Sequence, residues 1–394
     1  MVQRNLTLNI KLLSDLHIGT GTKFLEGLDW IERPDGYIYL SDQVAINDLV
    51  MQRGLADGRD ERFVANKITG LSLQDLMALG WLKTDDIQAP SAQFPYRLRG
   101  KPATREIREE IKDIYGKPYL PGSTVKGALR TALAGVAAEE LQPNASEGRL
   151  GRSRWWAAQP VEKTLFGADP NHDFLRMLQV SDSSPVDPAR VQLRRANIYP
   201  TAGETAYGRS KGVDVDLEVV AEGTEFQIPI HMPLELLGIR QEPDRGFEQR
   251  RLAEIPDWEK RKHWLTRLAV GGRAYARQQL IDEVSYFQER TDVPIVHGFY
   301  NSLVETFSGL KKHQFLLRLG WGGGWHTKTI SAYLRRDPDN LEAVIEKYRL
   351  DPTGKRRKGS PFPKSRHLLR QPNGEPGKPL GWVLAELNTV TSAD

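Results

Sequence analysis

The 394-residue chain contains no cysteine, which excludes a disulfide framework and every thiolate metal site. No apolar run approaches the ~20 residues needed to cross a bilayer, so no membrane partner is expected. An excess of one charge sign is also missing, with 55 basic against 51 acidic residues and a formal net charge of +4. Any basic site must therefore arise from local clustering, because bulk charge does not supply it. The eight histidines show neither HxxxH nor HxH spacing, which argues against zinc. Neither glycine-bearing segment that ends in a lysine is a Walker A motif: Lys126 precedes Gly127, and Thr327 precedes Lys328. Neither an ATPase nor a cofactor is therefore expected.

What is present is a globular composition, 39% apolar and 27% charged, long enough for two domains. The 35 glycines and 24 prolines point to many loops between short elements. Met1 to Ile10 reads as the start of a strand and not as a leader, so a cytoplasmic protein is expected. Leu6, Leu8, Ile10 and Leu12 alternate with polar residues, the pattern of a half-buried strand. The strand runs into the small-residue turn Ser14 to Gly21. Residues 37–40 read as a strand, with Ser41 capping a helix through Val50. Residues 52–118 read as an insertion of short helices. A strand is expected over 174–181, ending at Asp182. Val215, Leu217 and Val219, a turn at Glu222–Gly223, and Phe226, Ile228 and Ile230 read as a hairpin. Residues 256–290 read as two helices broken at Gly271–Gly272. A strand over 314–319 enters the loop Gly320 to Thr329, and a last strand covers 381–387. Strands and helices mix without strict βαβ alternation, which gives an α+β fold.

The segment Leu120 to Leu133 is the most informative. Val125, Ala128, Leu129, Ala132, Leu133 and Val136 mark one buried helical face after a Pro-Gly turn, with Ser123 or Thr124 as the expected cap. Lys126 then falls in the first turn, with Arg130 four residues on. Cations are disfavoured there, where unpaired N–H groups already carry positive partial charge. A phosphate held between the helix end and these side chains would resolve the conflict; a solvated basic face is the plain alternative. The glycine loop is the second feature. Gly322, Gly323 and Gly324 allow backbone N–H groups to approach phosphate oxygens, Trp321 and Trp325 offer stacking surfaces, and Arg318 and Lys328 add charge; a tight turn with tryptophan plugs is its alternative. Arg209 and Lys211 lie in a basic, glycine-flanked loop. His17, beside Asp15, has the chemistry of a general acid or base, although a structural or RNA-contacting role fits it better. Arg152, Arg154 and the pair Trp155–Trp156 share one further loop.

Taken together, His17-Ile18-Gly19-Thr20-Gly21, the run Pro121 to Arg130, Leu165-Phe166-Gly167 and the late glycine loop resemble the RAMP superfamily of CRISPR proteins. Segment order and length are most similar to the fifth-subunit group of type III-A Csm effector complexes. The resemblance implies tandem ferredoxin-like (RRM-related) domains with helical insertions and glycine-rich loops. Their boundaries would be 1–235, carrying the insertion at about 52–118, and 236–394. It further implies a non-catalytic subunit that binds CRISPR guide RNA and caps the 3′-end side of the complex. Its partners would be the backbone and small subunits, with target RNA met indirectly. Gly122, Ser123, Thr124, Lys126 and Arg130 would hold guide phosphates, joined by Gly322, Gly323, Gly324 and Lys328, with His17 and Thr20 lining the same groove. Asp29, in a Gly-Leu-Asp setting, resembles the metal-dependent cleavage aspartate of backbone subunits. Some ninety residues separate it from the Lys-Gly-Ala-Leu-Arg motif, however, instead of the short spacing of those proteins. An endoribonuclease acting through Asp29 with a metal, or through His17 without one, is the enzymatic alternative.

Overall fold

The computed structural model describes residues 4–68, 70–199, 214–232, 258–288, 290–351, 354 and 356–389. Among these lie fourteen strands: β1 Arg4–Leu12, β2 Gly19–Leu25, β3 Trp30–Glu32, β4 Tyr37–Leu40, β5 Tyr96–Arg99, β6 Glu106–Glu110, β7 Gln179–Val180, β8 Val191–Tyr199, β9 Val215–Val220, β10 Glu225–Met232, β11 Gln314–Arg318, β12 Arg366–Arg370, β13 Pro376–Pro379 and β14 Trp382–Thr389. The helices are α1 Gln43–Ala56, α2 Glu61–Ile68, α3 Leu73–Ala78, α4 Gly122–Leu141, α5 Gln159–Phe166, α6 Trp258–Thr266, α7 Leu268–Phe287, α8 Pro294–Ser308, α9 Ser331–Leu334 and α10 Pro338–Lys347.

Three sheets organise these elements. The first has the order β11-β14-β1-β10-β7 and is antiparallel throughout. Leu8 on β1 faces Ile228 on one neighbour and Leu387 on the other, so the alternation read from the sequence places Leu8, Ile10 and Leu12 in the core. The apolar stripe of α4 packs on this sheet: Val125, Leu129, Ala132, Leu133 and Val136 are buried and Ala128 is half-buried. The second sheet, β13-β12-β8-β9-β6-β2, is antiparallel except for the parallel pair β6–β9. The third, β3-β4-β5, packs with α1 to α3 around a core of its own that includes Ile46, Val50, Val64, Leu76 and Phe94. Both larger sheets take strands from either side of residue 235.

Several local expectations change. β9 and β10 follow one another but do not pair; β9 joins β8 and β6, whereas β10 joins β1 and β7. The chain switches sheets at Ala221–Thr224, where Gly223 N–H donates to the Leu12 carbonyl at 2.9 Å. The burial pattern explains the split. β9 is covered along nearly its whole length, while β10 alternates exposed and buried residues like a one-sided strand. The segment 174–181 is a 3₁₀ turn over Phe174–Met177 followed by the two-residue β7. Gly271 and Gly272 do not break a helix, because they lie inside the continuous α7. A Cβ on Gly272 would collide with Phe315, and one on Gly271 would press on the Ala132 carbonyl, so these glycines let α7 approach β11 and α4. The cap of α1 is Asp42, whose carboxylate accepts from Val44 N at 2.9 Å and Ala45 N at 3.0 Å.

Candidate nucleic-acid interface

The turn between β1 and β2 places His17 with its ring 2% exposed. Its Nδ1 lies 2.7 Å from the Glu218 carbonyl oxygen and 3.3 Å from a Glu110 carboxylate oxygen. A carbonyl only accepts, so Nδ1 carries the proton. Glu110 accepts from Ile18 N at 3.0 and 3.1 Å. Burial pushes its carboxyl up to about 7, against the pull of His17. The Glu218 side chain accepts from Tyr96 at 2.7 Å and pairs with Lys112. His17 therefore works inside the protein. The expectation that its ring lines a groove, or acts as an exposed acid or base, gives way to a positioning role.

What His17 positions is the glycine loop. Trp321 N–H donates to the His17 carbonyl at 2.8 Å, and a Cβ on Gly320, at φ +66°, would collide with that carbonyl. Gly320 is the residue that lets loop and turn form one joint; the sequence places it in the loop, but roles are expected only of Gly322–Gly324. Gly322 and Gly324 adopt φ of +100° and +62°, a region open to glycine. Gly323 lies against the Thr327 side chain, and the Gly322 carbonyl accepts from Arg318 at 3.1 Å. Trp321 and Trp325 are half-buried: Trp321 sits 4.6 Å from His367 with the Arg108 guanidinium 5.1 Å from its ring, and Trp325 sits 5.1 Å from Phe362. They are partial plugs, and neither is a free stacking surface. Lys328 is exposed, and among the described residues neither Lys328 nor Arg108 has a carboxylate partner. Arg108, on a strand whose sequence reads as an ordinary charged run, carried no signal that would have singled it out.

Beneath the loop lies a buried ionic centre. Glu283 accepts from Arg366 Nε at 2.8 and 2.9 Å and from Tyr300 at 3.1 Å, with Arg318 at 3.9 Å and His326 Nε2 at 3.8 Å. Asp282 pairs with Arg335 at 2.5 Å. Burial and the three arginines push the His326 pKa well below its usual value. This centre fixes both ends of the loop, through Arg318 and His326.

The N-terminus of α4 differs from expectation. Its cap is Pro121, with no side-chain cap bond from Ser123 or Thr124. The Gly122 N–H donates to the Asp182 carboxylate at 2.7 Å, so an internal anion already occupies part of the helix mouth. Gly122 is needed for a different reason as well, since a Cβ there would collide with the Val180 carbonyl. Arg130 is not a free phosphate ligand: it binds Asp173 at 2.5 Å, approaches Glu162 at 3.7 Å and lies 3.7 Å from the Phe166 ring centre. Lys126 has no carboxylate within ion-pair distance among the described residues. Burial lowers its pKa, with nearby Asp173 opposing and Arg130 reinforcing the shift. Ser123 is exposed and Thr124 half-buried.

Thr20 lies on the exposed β2, donating to Glu109 at 3.0 Å and accepting from Thr22 N at 3.0 Å. The Asp29 carboxylate accepts from Leu25 N at 2.8 Å and closes a local turn. Among the described residues no group of three His, Asp or Glu side chains is arranged to hold a metal. Arg209 and Lys211 lie outside the described residues. The structure thus unites His17 and the glycine loop, while Lys126 stands on a separate element.

A mixed α/β architecture with glycine loops set against a β-turn defines the class. The RAMP superfamily model matches residues 9–325, and the chain belongs to that superfamily. Within it, the similarity is to Csm5. The CRISPR system Cms protein Csm5 of Streptococcus thermophilus is 24% identical over 205 residues, 48% of this chain and 54% of that protein. The match thus spans about half the length of this curated relative. A chain in the cryo-electron microscopy structure of a Csm–crRNA–target RNA ternary complex of a type III-A CRISPR-Cas system shares the fold. Its TM-score is 0.64, with 22% identity and coverage of 98% of this chain and 100% of that one. The crystal structure of T. onnurineus Csm5 does so at TM-score 0.58, 21% identity and coverage of 95% and 99%.

Proposed function

We propose that the chain is a non-catalytic, guide-RNA-binding subunit capping the 3′-end side of a type III-A CRISPR effector complex in the cytoplasm. In this reading it supports guide maturation and assembly, contacts the backbone and small subunits, and meets target RNA only indirectly. The observation that carries the reading is the joint between His17 and Gly320. It sets the exposed strand β2, the glycine loop and the unpaired cations Arg108 and Lys328 on one framework. Lys126 adds a cation at the helix end that has no carboxylate within ion-pair distance among the described residues. Such contacts address phosphates, so binding is expected to be salt-sensitive and largely indifferent to sequence. Arg130 joins this account as a residue that anchors α4, no longer as a phosphate ligand.

The similarity to Csm5 and to a chain of a Csm–crRNA–target RNA complex supports the assignment. The run β1–α4–β7–β10–α7–β11, with β7, β10 and β1 adjacent, supports a ferredoxin-like unit into which β14 is inserted. The six-stranded sheet is the proposed second unit of the tandem. The test is guide occupancy in the assembled complex after replacing Arg108, Lys126 and Lys328 by alanine. A marked fall is expected, and unchanged occupancy overturns the site.

A further inference from the structure

Trp155 is 93% exposed and Trp156 59%, in a short 3₁₀ turn over Arg154–Trp156. A tryptophan is usually well covered, so two adjacent exposed indoles are a costly display for a loop. The loop is nevertheless firmly built. Leu150 at its base is buried in the main core, and Tyr348 donates to the Gly151 carbonyl at 2.7 Å. Gly151, at φ +126°, allows the Trp156 carbonyl so close that any side chain would collide with it. Trp156 N–H donates to Ser153 O at 3.0 Å, and Ala158 N–H to Leu150 O at 2.8 Å. The backbone is pinned while the rings face outward.

Arg149, Arg152 and Arg154 flank the rings; all three are exposed, and none has a carboxylate partner among the described residues. Arg154 also borders a cleft of about 980 Å³ whose lining is of mixed sign, with Arg349, Arg356 and Lys358 alongside Asp339, Glu342 and Glu346. Three exposed guanidiniums beside two exposed indoles are the chemistry of a single-stranded nucleic-acid contact: indoles for base faces, guanidiniums for phosphates. We propose that the Arg149–Trp156 loop is a second single-stranded RNA contact, separate from the His17–Gly320 joint. Trp155 supplies a stacking platform, and Arg152 and Arg154 hold flanking phosphates. The proposal rests on the RNA-binding reading and extends it to a new element.

The test uses the full-length chain and a labelled oligoadenylate RNA of about 15 nucleotides, with fluorescence anisotropy as readout. Trp155→Ala is expected to weaken binding roughly tenfold, with Trp155→Phe retaining most of the affinity. Arg152→Ala with Arg154→Ala is expected to lower the slope of log affinity against log salt by about 1.4. Circular dichroism checks that each variant is folded, which the exposure of these side chains predicts. If the wild-type chain binds and all these variants bind equally well with the same slope, the inference fails while the RNA-binding reading stands. If the wild-type chain binds no RNA, both fail. If RNA affinity is unchanged but the Trp155→Ala chain no longer joins the protein complex, the loop is a protein-docking anchor and the proposal is overturned.

Discussion

The two cation-bearing regions, the start of α4 and the glycine loop, read alike in the sequence and differ in the folded chain. At α4 the positive groups are largely answered from within, Gly122 N–H by Asp182 and Arg130 by Asp173 and Glu162, leaving Lys126 as the open one. At the loop, internal carboxylates answer the buried arginines, whereas, among the described residues, exposed Lys328 and the half-buried Arg108, which lies against Trp321, have no carboxylate partner. A cation near a backbone N–H cluster is therefore a binding group only if the fold supplies no acid for it. The distinction rests on partners that lie far away in sequence.

The largest effect should come from the loop's foundation. Glu283→Ala removes a fully buried carboxylate and leaves Arg366 and Arg318 unanswered, at a cost of about 3–5 kcal/mol. Thermal unfolding followed by circular dichroism should show a drop of roughly 5 °C. A drop of only a degree or two would mean the ionic centre does not anchor the loop. Next comes the contrast within α4. Arg130→Ala should cost about 1–2 kcal/mol of stability, between the values for exposed and buried pairs, with little direct change in RNA affinity. Lys126→Ala should leave stability unchanged and weaken RNA binding roughly tenfold. If the two variants exchange these phenotypes, the assignment of roles is reversed.

A pH effect sharpens the comparison at the loop. Burial, with Arg318 and Arg108 adding to it, pushes the half-buried His367 down to about 4. The folded state thus holds this proton less well than the unfolded chain, whose histidine titrates near 6.5. The stability linked to His367 is present above pH 6.5 and is lost as pH falls towards 4, by about 3 kcal/mol. His367→Asn should flatten that part of the stability profile, and an unchanged profile would place the titration elsewhere. The smallest effect belongs to Asp29→Ala, which removes one turn acceptor and should cost about 1 kcal/mol. Target RNA incubated with the chain and magnesium should be equally intact with wild type and variant. Cleavage that disappears in the variant would restore the enzymatic alternative.

Much of the framework was legible because it is local. The period-two run in β1 and the apolar stripe of α4 each name the face that is buried. What was not legible is set by distant contacts. β9 and β10 carry proper strand patterns, yet nothing in the turn at Glu222–Gly223 says that the chain leaves one sheet for another. Gly271 and Gly272 look like a helix break, but the close approach of Phe315 is their reason. At the site, the sequence singled out His17, Lys126 and the glycine loop; it could not show that Asp182 and Asp173, some fifty residues downstream, would claim Gly122 and Arg130. Arg108 and Gly320 owe their places to the same kind of long-range meeting.

The most direct test is the salt dependence of guide RNA binding by the full-length chain, comparing wild type, Lys126→Ala with Lys328→Ala, and Arg130→Ala. Two lost phosphate contacts should lower the log–log slope by about 1.4 in the double variant, while Arg130→Ala keeps the wild-type slope. Identical slopes for wild type and the double variant would contradict the claim that these open cations hold the RNA backbone.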